Sequence, residues 1–214
     1  MKIEGKTPWL LGGKTSGPLV ETSLLFDAKN KSWTEEGAPI LHEPFYNGCI
    51  VPLNDEHTKF LLIGGDTATA LSTRRTAVYD WTLDEWRAVG DMHEGRRFIG
   101  QMCIRHTTPT GREVVIVIGG LQGGSTFLNS TEIYDIEDET WSYGPDLPHG
   151  MEGSLVAKTN GGIFLLGGRG LVGGSIQFLR TVLEMDQATL EWSVRSDLEL
   201  PAVSARAAGI TYNE

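Results

Sequence analysis

Four apolar stretches, each closed by a Gly-Gly pair, divide this chain into repeats. They cover residues 9–13, 60–65, 114–120 and 163–168, and successive Gly-Gly pairs are 48 to 55 residues apart. Continuous apolarity over a few residues bounded by glycine is typical of a β-strand buried on both faces. Glycine ends such a strand readily because it adopts backbone conformations that strain other residues. We therefore predict one buried strand, the second of its unit, in each repeat. The glycines concerned are Gly12, Gly13, Gly64, Gly65, Gly119, Gly120, Gly167 and Gly168.

In every repeat a polar segment and a further apolar stretch follow, ending in an Asp that precedes a Trp by six residues. The four motifs are Phe26-Asp27 with Trp33, Tyr79-Asp80 with Trp86, Tyr134-Asp135 with Trp141, and Met185-Asp186 with Trp192. The pattern predicts a third strand, a tight turn closed by the Asp side chain, and a fourth strand that carries the Trp. Because Trp buries a large area, we expect it to pack between neighbouring units. The third strands are predicted at 22–26, 75–79, 130–134 and 180–185.

One more strand is predicted between each Trp and the next Gly-Gly pair. These first strands cover 46–52, 99–105, 154–158 and 207–212, and each contains or follows a glycine. No stretch shows the periodicity of a helix. A repeat of this length, made only of strands, indicates a propeller or a solenoid.

The combined pattern resembles the kelch repeat, in which Gly-Gly, Tyr-Asp and Trp are followed by a Met or Leu and then an Arg. Three segments carry this last part: Asp91-Met92 with Arg96 or Arg97, Asp146-Leu147, and Asp197-Leu198 with Arg206. The chain departs from the pattern where Phe26 and Met185 replace the Tyr, and where no Arg precedes Gly48 or Gly153. The resemblance implies four-stranded antiparallel sheets arranged as blades around an axis.

We therefore expect an all-β, kelch-type β-propeller with four four-stranded antiparallel blades. Pairing of a C-terminal strand at 207–212 with the N-terminal strand at 9–13 would close the ring and remove its open edges. The blade units would be 9–36 with 204–214, 45–90, 97–145 and 153–196, in one domain over 1–214. Two alternatives stay open: the blades belong to a longer propeller, or they form a half-ring that another chain completes.

Composition excludes some classes of function. The 214 residues carry 18 Lys and Arg against 28 Asp and Glu, a net charge of −10 that disfavours non-specific binding to nucleic acid. There is no apolar run of membrane-spanning length and no recognisable signal peptide, which favours the cytoplasm. Cys49 and Cys103 are expected to be buried as small hydrophobic side chains, although sequence cannot test a disulfide.

The segments after the second strands are predicted to be polar loops on one face, at 14–21, 66–74, 121–129 and 169–178. They contain arginines and unexpected apolar residues, the side chains that protein-binding surfaces favour. We expect a non-catalytic scaffold that binds a protein partner here. The predicted contact residues are Arg74, Arg75, Arg169, Arg180, Phe127 and Phe178. The alternative is that the two Phe rings fold back onto their own blades and the arginines are solvated.

Three pairs of loop residues are candidates for a metal site. His42-Glu43, His93-Glu94, and His149 with Glu152 occupy corresponding loops and could ligate a metal. Solvent-exposed loop histidines are the expectation, with no metal and no cofactor. No catalytic motif is recognisable. The alternatives to a recognition module are an enzyme acting on a sugar or another small molecule at the channel mouth, and a structural subunit of a larger assembly.

Overall fold

A computed structural model describes residues 9–13, 22–41, 43, 45–203 and 205. Within these residues the chain consists of antiparallel β-strands, turns and one short 3₁₀ turn at Ser196–Leu198. None of the described residues form a helix with the length and hydropathy needed to cross a bilayer. The prediction of an all-β chain is confirmed for this part. Lys14, His42, Arg206 and the predicted strand at 207–212 lie outside the described residues.

Four main sheets follow one another along the chain, and strands adjacent in sequence pair within each sheet. Sheet I contains Trp9–Leu11, Ser23–Asp27 and Ser32–Thr34. Sheet II contains Cys49–Pro52, Lys59–Ile63, Thr76–Asp80 and Glu85–Ala88. Sheet III contains Cys103–Thr107, Glu113–Ile118, Thr131–Asp135 and Thr140–Tyr143. Sheet IV contains Leu155–Thr159, Gly162–Leu166, Val182–Met185 and Trp192–Val194. Sheet I has three strands among the described residues, and the other three sheets have four. Each sheet includes a strand from one of the apolar stretches identified in the sequence, and the last strand of each sheet carries the expected Trp.

Short strands also form where the sequence predicts polar loops. Phe45–Tyr46 pairs with Asp66–Thr67, and Leu121–Gln122 pairs with Thr126–Phe127. Arg169–Val172 pairs with Met151–Glu152 on one side and with Ser175–Phe178 on the other. The loop prediction is therefore wrong for most of these segments. Their glycines close tight turns: Gly173 and Gly174 both have positive φ, +58° and +80°, as a two-residue hairpin turn requires.

The Gly-Gly pairs of the first three repeats each join their sheet to the segment that enters the next one. The Gly119 amide donates to the Ser130 carbonyl at 3.1 Å, within the repeat, and the Gly120 amide donates to the Met151 carbonyl at 2.8 Å. Gly119 has a φ of +54°, and a Cβ there would lie only 2.7 Å from the Met151 oxygen. The close approach and the left-handed backbone both exclude a side chain. Equivalent bonds of 2.8 Å run from Gly13 to Phe45 and from Gly65 to Arg96.

The Asp of each motif closes the turn that follows it, as predicted. Asp135 Oδ1 accepts hydrogen bonds from the Glu137 and Asp138 amides, both at 3.0 Å. These bonds lower the pKa of the Asp135 carboxyl group, against the opposing effect of burial, and the Arg112 guanidinium lowers it further. The same turn bond is made by Asp27, Asp80 and Asp186.

Packing by the motif Trp depends on the repeat. The Trp141 indole donates to the Gly90 carbonyl at 2.7 Å and so joins sheet III to the end of sheet II, as predicted. Trp33 is 50% exposed, and for this residue the packing prediction is wrong. The reason is that sheet II packs on the opposite face of sheet I: the Trp9 and Phe60 rings lie 5.3 Å apart, whereas Trp33 pairs with Phe26 on the other face.

The core runs through sheets II, III and IV. The second strand of sheet III is buried on both faces, with Val114 to Ile118 at most 4% exposed, which confirms the expectation from its continuous apolarity. In the corresponding strand of sheet II, buried and partly exposed side chains alternate. Leu61 and Ile63 are fully buried, but Leu62 is partly exposed towards sheet I.

Cys49 and Cys103 form a disulfide between the first strands of sheets II and III. Their Cα atoms are 6.6 Å apart, and the side chains are 3% and 9% exposed. The predicted burial is confirmed, and the disulfide, which the sequence could not test, is formed. Neighbouring first strands bring these residues within the Cα separation that a disulfide needs, which only the packing of the two sheets determines.

Candidate functional site: the loop face

The segments at one end of sheets II, III and IV form a continuous surface. The Gly123 amide donates to the Ser72 hydroxyl at 2.7 Å, so the hairpin of the third repeat contacts the segment of the second. A Cβ at Gly150 would lie 2.7 Å from the Phe127 carbonyl carbon, so the entry to sheet IV also contacts this hairpin. We call this surface the loop face. It comprises residues 45–47, 66–75, 91–98, 121–130, 146–153 and 169–181.

Three of the predicted contact residues come together on the loop face. The Arg169 guanidinium carbon lies 5.5 Å from the centre of the Phe127 ring, and Arg169 is paired with Phe178 across a hairpin. Arg169 also forms an ion pair at 2.8 Å with Glu152, whose side chain is 1% exposed. Phe127 is partly buried, whereas Phe178 is 60% exposed. We call Phe127, Arg169 and Phe178 the Arg169 patch.

Arg74 and Arg75 form a second group. Arg75 Nη1 lies 2.7 Å from Glu43 Oε1, and Arg74 Nε lies 3.7 Å from Asp91 Oδ2. The arginine side chains are 67% and 64% exposed. Ion pairs this exposed are worth about 0–1 kcal/mol, so both guanidinium groups can exchange these carboxylates for those of a partner.

A cleft of about 630 Å³ opens beside Arg75 and has a mostly apolar lining. Its walls include Leu41, Phe45, Leu62, Ala77, Trp86 and Val89. Arg75 and Glu43 also contribute to the lining, which places an ion pair against an apolar cleft. Clefts of this size hold small ligands or partner side chains. Sequence reasoning missed it because its walls come from segments far apart in the chain.

Arg180, the sixth predicted contact residue, belongs to neither group. Its Nε donates to the Leu200 carbonyl and lies 3.6 Å from Glu199 Oε1. The structure thus divides the predicted residues into the Arg169 patch, the Arg74–Arg75 pair and Arg180.

A buried carboxylate within the loop face was not predicted. Asp66, fully buried, accepts hydrogen bonds from Asn47 Nδ2 at 3.0 Å and from the Ser72 amide at 2.9 Å, and its Oδ2 lies 3.3 Å from Arg97 Nη1. Burial, followed by the charge of Asp66, raises the pKa of Tyr46. A carboxylate directly after a Gly-Gly pair was the available signal, but its partners come from other segments.

A second buried network joins sheets II and III. Arg96 and Glu132 are both fully buried, and Arg96 Nη2 donates to Glu132 Oε1 at 2.7 Å. Arg96 Nη1 also donates to the Gly119 carbonyl at 2.7 Å, while Glu132 accepts hydrogen bonds from the His93 and Glu94 amides at 2.6 and 3.0 Å. Burial opposes ionisation of Glu132, but the His93 amide and Arg96 hold its pKa below the usual value. Because Arg96 and Glu132 are fully buried and bond to each other, this network joins the two sheets and is not available to a partner.

The candidate metal ligands within the described residues bond to other groups. His93 bonds through Nδ1 to Glu132 at 2.9 Å and stacks on Tyr143, whereas Glu152 pairs with Arg169. Burial lowers the pKa of the His149 imidazole. In the part of the chain that the structure describes, no three His, Cys, Asp or Glu side chains are grouped as metal ligands.

Comparison with known proteins identifies the repeat. A family model for the Kelch motif matches residues 102–148, a segment that contains all four strands of sheet III. The chain is 32% identical over 120 residues to an F-box/kelch-repeat protein of Arabidopsis thaliana, covering 55% of this chain and 27% of the relative. It is 27% identical over 126 residues to Kelch-like protein 35 of Mus musculus, covering 59% and 20%. Alpha-scruin of Limulus polyphemus is 29% identical over 98 residues, covering 46% and 10%.

The chain carries a kelch motif at residues 102–148, and several kelch-repeat proteins are similar to it. The matched segment contains Gly119-Gly120, Tyr134-Asp135 and Trp141, and the hydrogen bonds of Gly120 and Trp141 join this repeat to its neighbours. The chain spans about a quarter or less of the length of the relatives named above.

Proposed function

We propose that this kelch-repeat chain is a non-catalytic recognition module that binds a protein partner through the loop face. The observation that carries the proposal is the Arg169 patch, where an exposed Phe178 lies beside an arginine stacked on a second aromatic ring. Aromatic and arginine side chains dominate the energetics of protein interfaces. One relative is named for an F-box and kelch repeats, the second for its likeness to kelch, and the third is a scruin. Under this proposal the partner carries carboxylates for Arg74, Arg75 and Arg169, and an apolar side chain for the cleft beside Arg75.

The test is quantitative capture of partners from a lysate by wild type and by matched surface variants. Phe178→Ser and Arg75→Glu alter exposed loop-face residues and should leave the fold intact. Leu83→Ser is the matched control, because Leu83 is 66% exposed but lies in the turn at the opposite end of sheet II. We expect both loop-face variants to lose the partners that Leu83→Ser retains. Identical partners for all of them would refute the assignment of this face.

We further propose that the four units form a single-domain, four-bladed propeller closed by pairing of 207–212 with 9–13. The strand Trp9–Leu11 pairs only with Ser23–Asp27 among the described residues, which leaves its other edge open. A groove lined by Trp9, Leu11, Cys49 and Ile50 runs along that edge. In sheets II to IV a first strand occupies the equivalent place.

Closure can be tested by cysteine cross-linking. A cysteine at position 10, paired in turn with cysteines at positions 208 to 212, should form an intramolecular disulfide at one register. Only intermolecular products, or none at any register, would favour a longer propeller or a half-ring.

A cytoplasmic location stays a prediction. The Cys49–Cys103 disulfide weighs against it, because stable disulfides are rare in reducing compartments. Thiol trapping of the native protein on rapid lysis would decide between the two.

A further inference from the structure

The hairpin that carries Phe178 has an open edge. Strand Arg169–Val172 pairs with Met151–Glu152 on one side and with Ser175–Phe178 on the other, so Ser175–Phe178 is the outermost strand of a three-stranded sheet. All four of its residues are exposed. Natural proteins usually protect such edges, because the unpaired backbone groups are a template for another chain.

The alternating direction of hydrogen bonds along a strand identifies which backbone groups lack a partner. The Leu179 amide donates to the Gly168 carbonyl at 2.9 Å, so residues at odd positions bond inwards across the hairpin. The Leu171 amide points the other way, donating to the Gly150 carbonyl at 3.2 Å. Leu171 faces Ile176 in the register, so the N–H and C=O groups of Ile176 and Phe178 point outwards. Neither residue has a backbone partner on that side among the described residues.

The exposed edge lacks the usual protective charges. From Leu171 to Leu179 nine consecutive residues are uncharged, in a chain where 21% of residues are charged. Leu171, Ile176 and Phe178 are 47%, 57% and 60% exposed and share one face of the hairpin. The edge therefore offers neither a Lys, a Pro nor a like-charge clash against an incoming strand.

We propose that two copies of this chain associate by antiparallel pairing of their Ser175–Phe178 strands, with the two-fold axis at Gln177. In this register the outward N–H and C=O groups of Ile176 lie opposite those of Phe178 in the second copy, and the same pair recurs on the other side of the axis. Each of the two pairs forms two hydrogen bonds, which gives four backbone hydrogen bonds in all. The side chains that meet are apolar at 176 and 178 and neutral at 177. A four-stranded apolar face results, with Arg169 at each end, and no like charges meet although each chain carries a net charge of −10.

The small size of this contact determines how tightly the two copies associate. Four residues per copy are far fewer than the roughly 20–30 per side of a stable interface, so the dimer is weak and reversible. It goes beyond the proposed recognition function, because pairing uses the backbone edge of the hairpin, whereas recognition uses the exposed Phe178 side chain on its face.

Sedimentation of the full chain over a concentration series reaching the millimolar range measures the association. Gln177→Lys and Gln177→Glu each place like charges at the two-fold axis and should weaken self-association about fivefold. An equimolar mixture of the two should restore it, because opposite charges then meet. Both variants alter an exposed side chain, and thermal unfolding checks that they fold.

A backbone test is independent of charge. Ile176→Pro removes an outward donor and no hairpin bond, so it should abolish association, whereas Ile176→Thr retains the donor and should associate more weakly than wild type but measurably. A wild type that stays monomeric at every concentration would overturn the proposal. So would single Gln177 variants that associate like wild type, a mixture that shows no restoration, or an Ile176→Pro variant that still associates.

Discussion

Replacing Arg96 should lower the free energy of unfolding more than replacing an exposed residue does. Arg96→Met keeps most of the side-chain length but leaves the Glu132 carboxylate fully buried without its counter-ion. It also removes the donor that bonds the Gly119 carbonyl at 2.7 Å. Deleting one partner of a buried ion pair typically costs about 3–5 kcal/mol, because the other charge stays desolvated. For a domain of this size the melting temperature should fall by about 6–20 °C.

The loss of stability caused by Arg96→Met should depend on pH. In the wild type the pKa of Glu132 is lowered in the folded state, so its carboxylate contributes stability above the unfolded pKa, and this is lost as pH falls through the folded value. In Arg96→Met burial dominates, and we expect the pKa of Glu132 to rise above that of the unfolded chain. Protonation then relieves the buried charge, so the stability difference between variant and wild type should shrink as pH is lowered from about 7 towards 4.

Urea unfolding followed by tryptophan fluorescence measures both effects. Arg87→Met is the matched control, because Arg87 pairs with Glu139 but is 57% exposed, and its loss should cost no more than about 1 kcal/mol. The double variant Arg96→Met/Glu132→Gln should lose less than the sum of the single variants, since the two groups interact directly. A loss for Arg96→Met no larger than that for Arg87→Met, or one independent of pH, would refute the reasoning.

Three further outcomes test the fold. Gly119→Ala should cost about 2 kcal/mol or more in urea unfolding, because it forces a left-handed backbone and a Cβ against a carbonyl, whereas Gly111→Ala has open space and should suffer only the backbone strain. Reducing the disulfide, or replacing Cys103 by Ser, should lower the free energy of unfolding by about 2–4 kcal/mol, because a loop of 54 residues is no longer closed; a reductant that leaves the melting temperature unchanged would count against the bond. Trp141→Phe loses the indole donor and should destabilise by about 1–3 kcal/mol in thermal unfolding, and an unchanged melting temperature would contradict its role between sheets II and III.

The features of the fold that the sequence predicted correctly depend on local patterns of residues. The stretch 114–118 was identified as a strand buried on both faces because all of its residues are apolar, and burial of Val114 to Ile118 bears this out. Asp135 was expected to close its own turn because an Asp side chain reaches amides two and three residues ahead. Both inferences depend only on neighbours in sequence.

The candidate site was less accessible to this reasoning. Phe127 and Phe178 occur in similar segments, yet one stacks on Arg169 while the other is exposed. Segments expected to be loops pair as strands, because the glycines that suggested flexibility also allow tight hairpin turns. The exposure of a side chain and the pairing of a strand depend on which other segment packs against them. The composition of the segment itself does not contain this information.

The repeat, the order of its strands and the turns closed by Asp could be inferred from the amino-acid sequence, because they follow from periodic side-chain chemistry along the chain. The Cys49–Cys103 disulfide, the pairing of Glu132 with Arg96 and the lack of a described strand beside Ile176 emerged from the three-dimensional structure. Those features depend on distances between residues tens of positions apart, which are set when the sheets pack against one another.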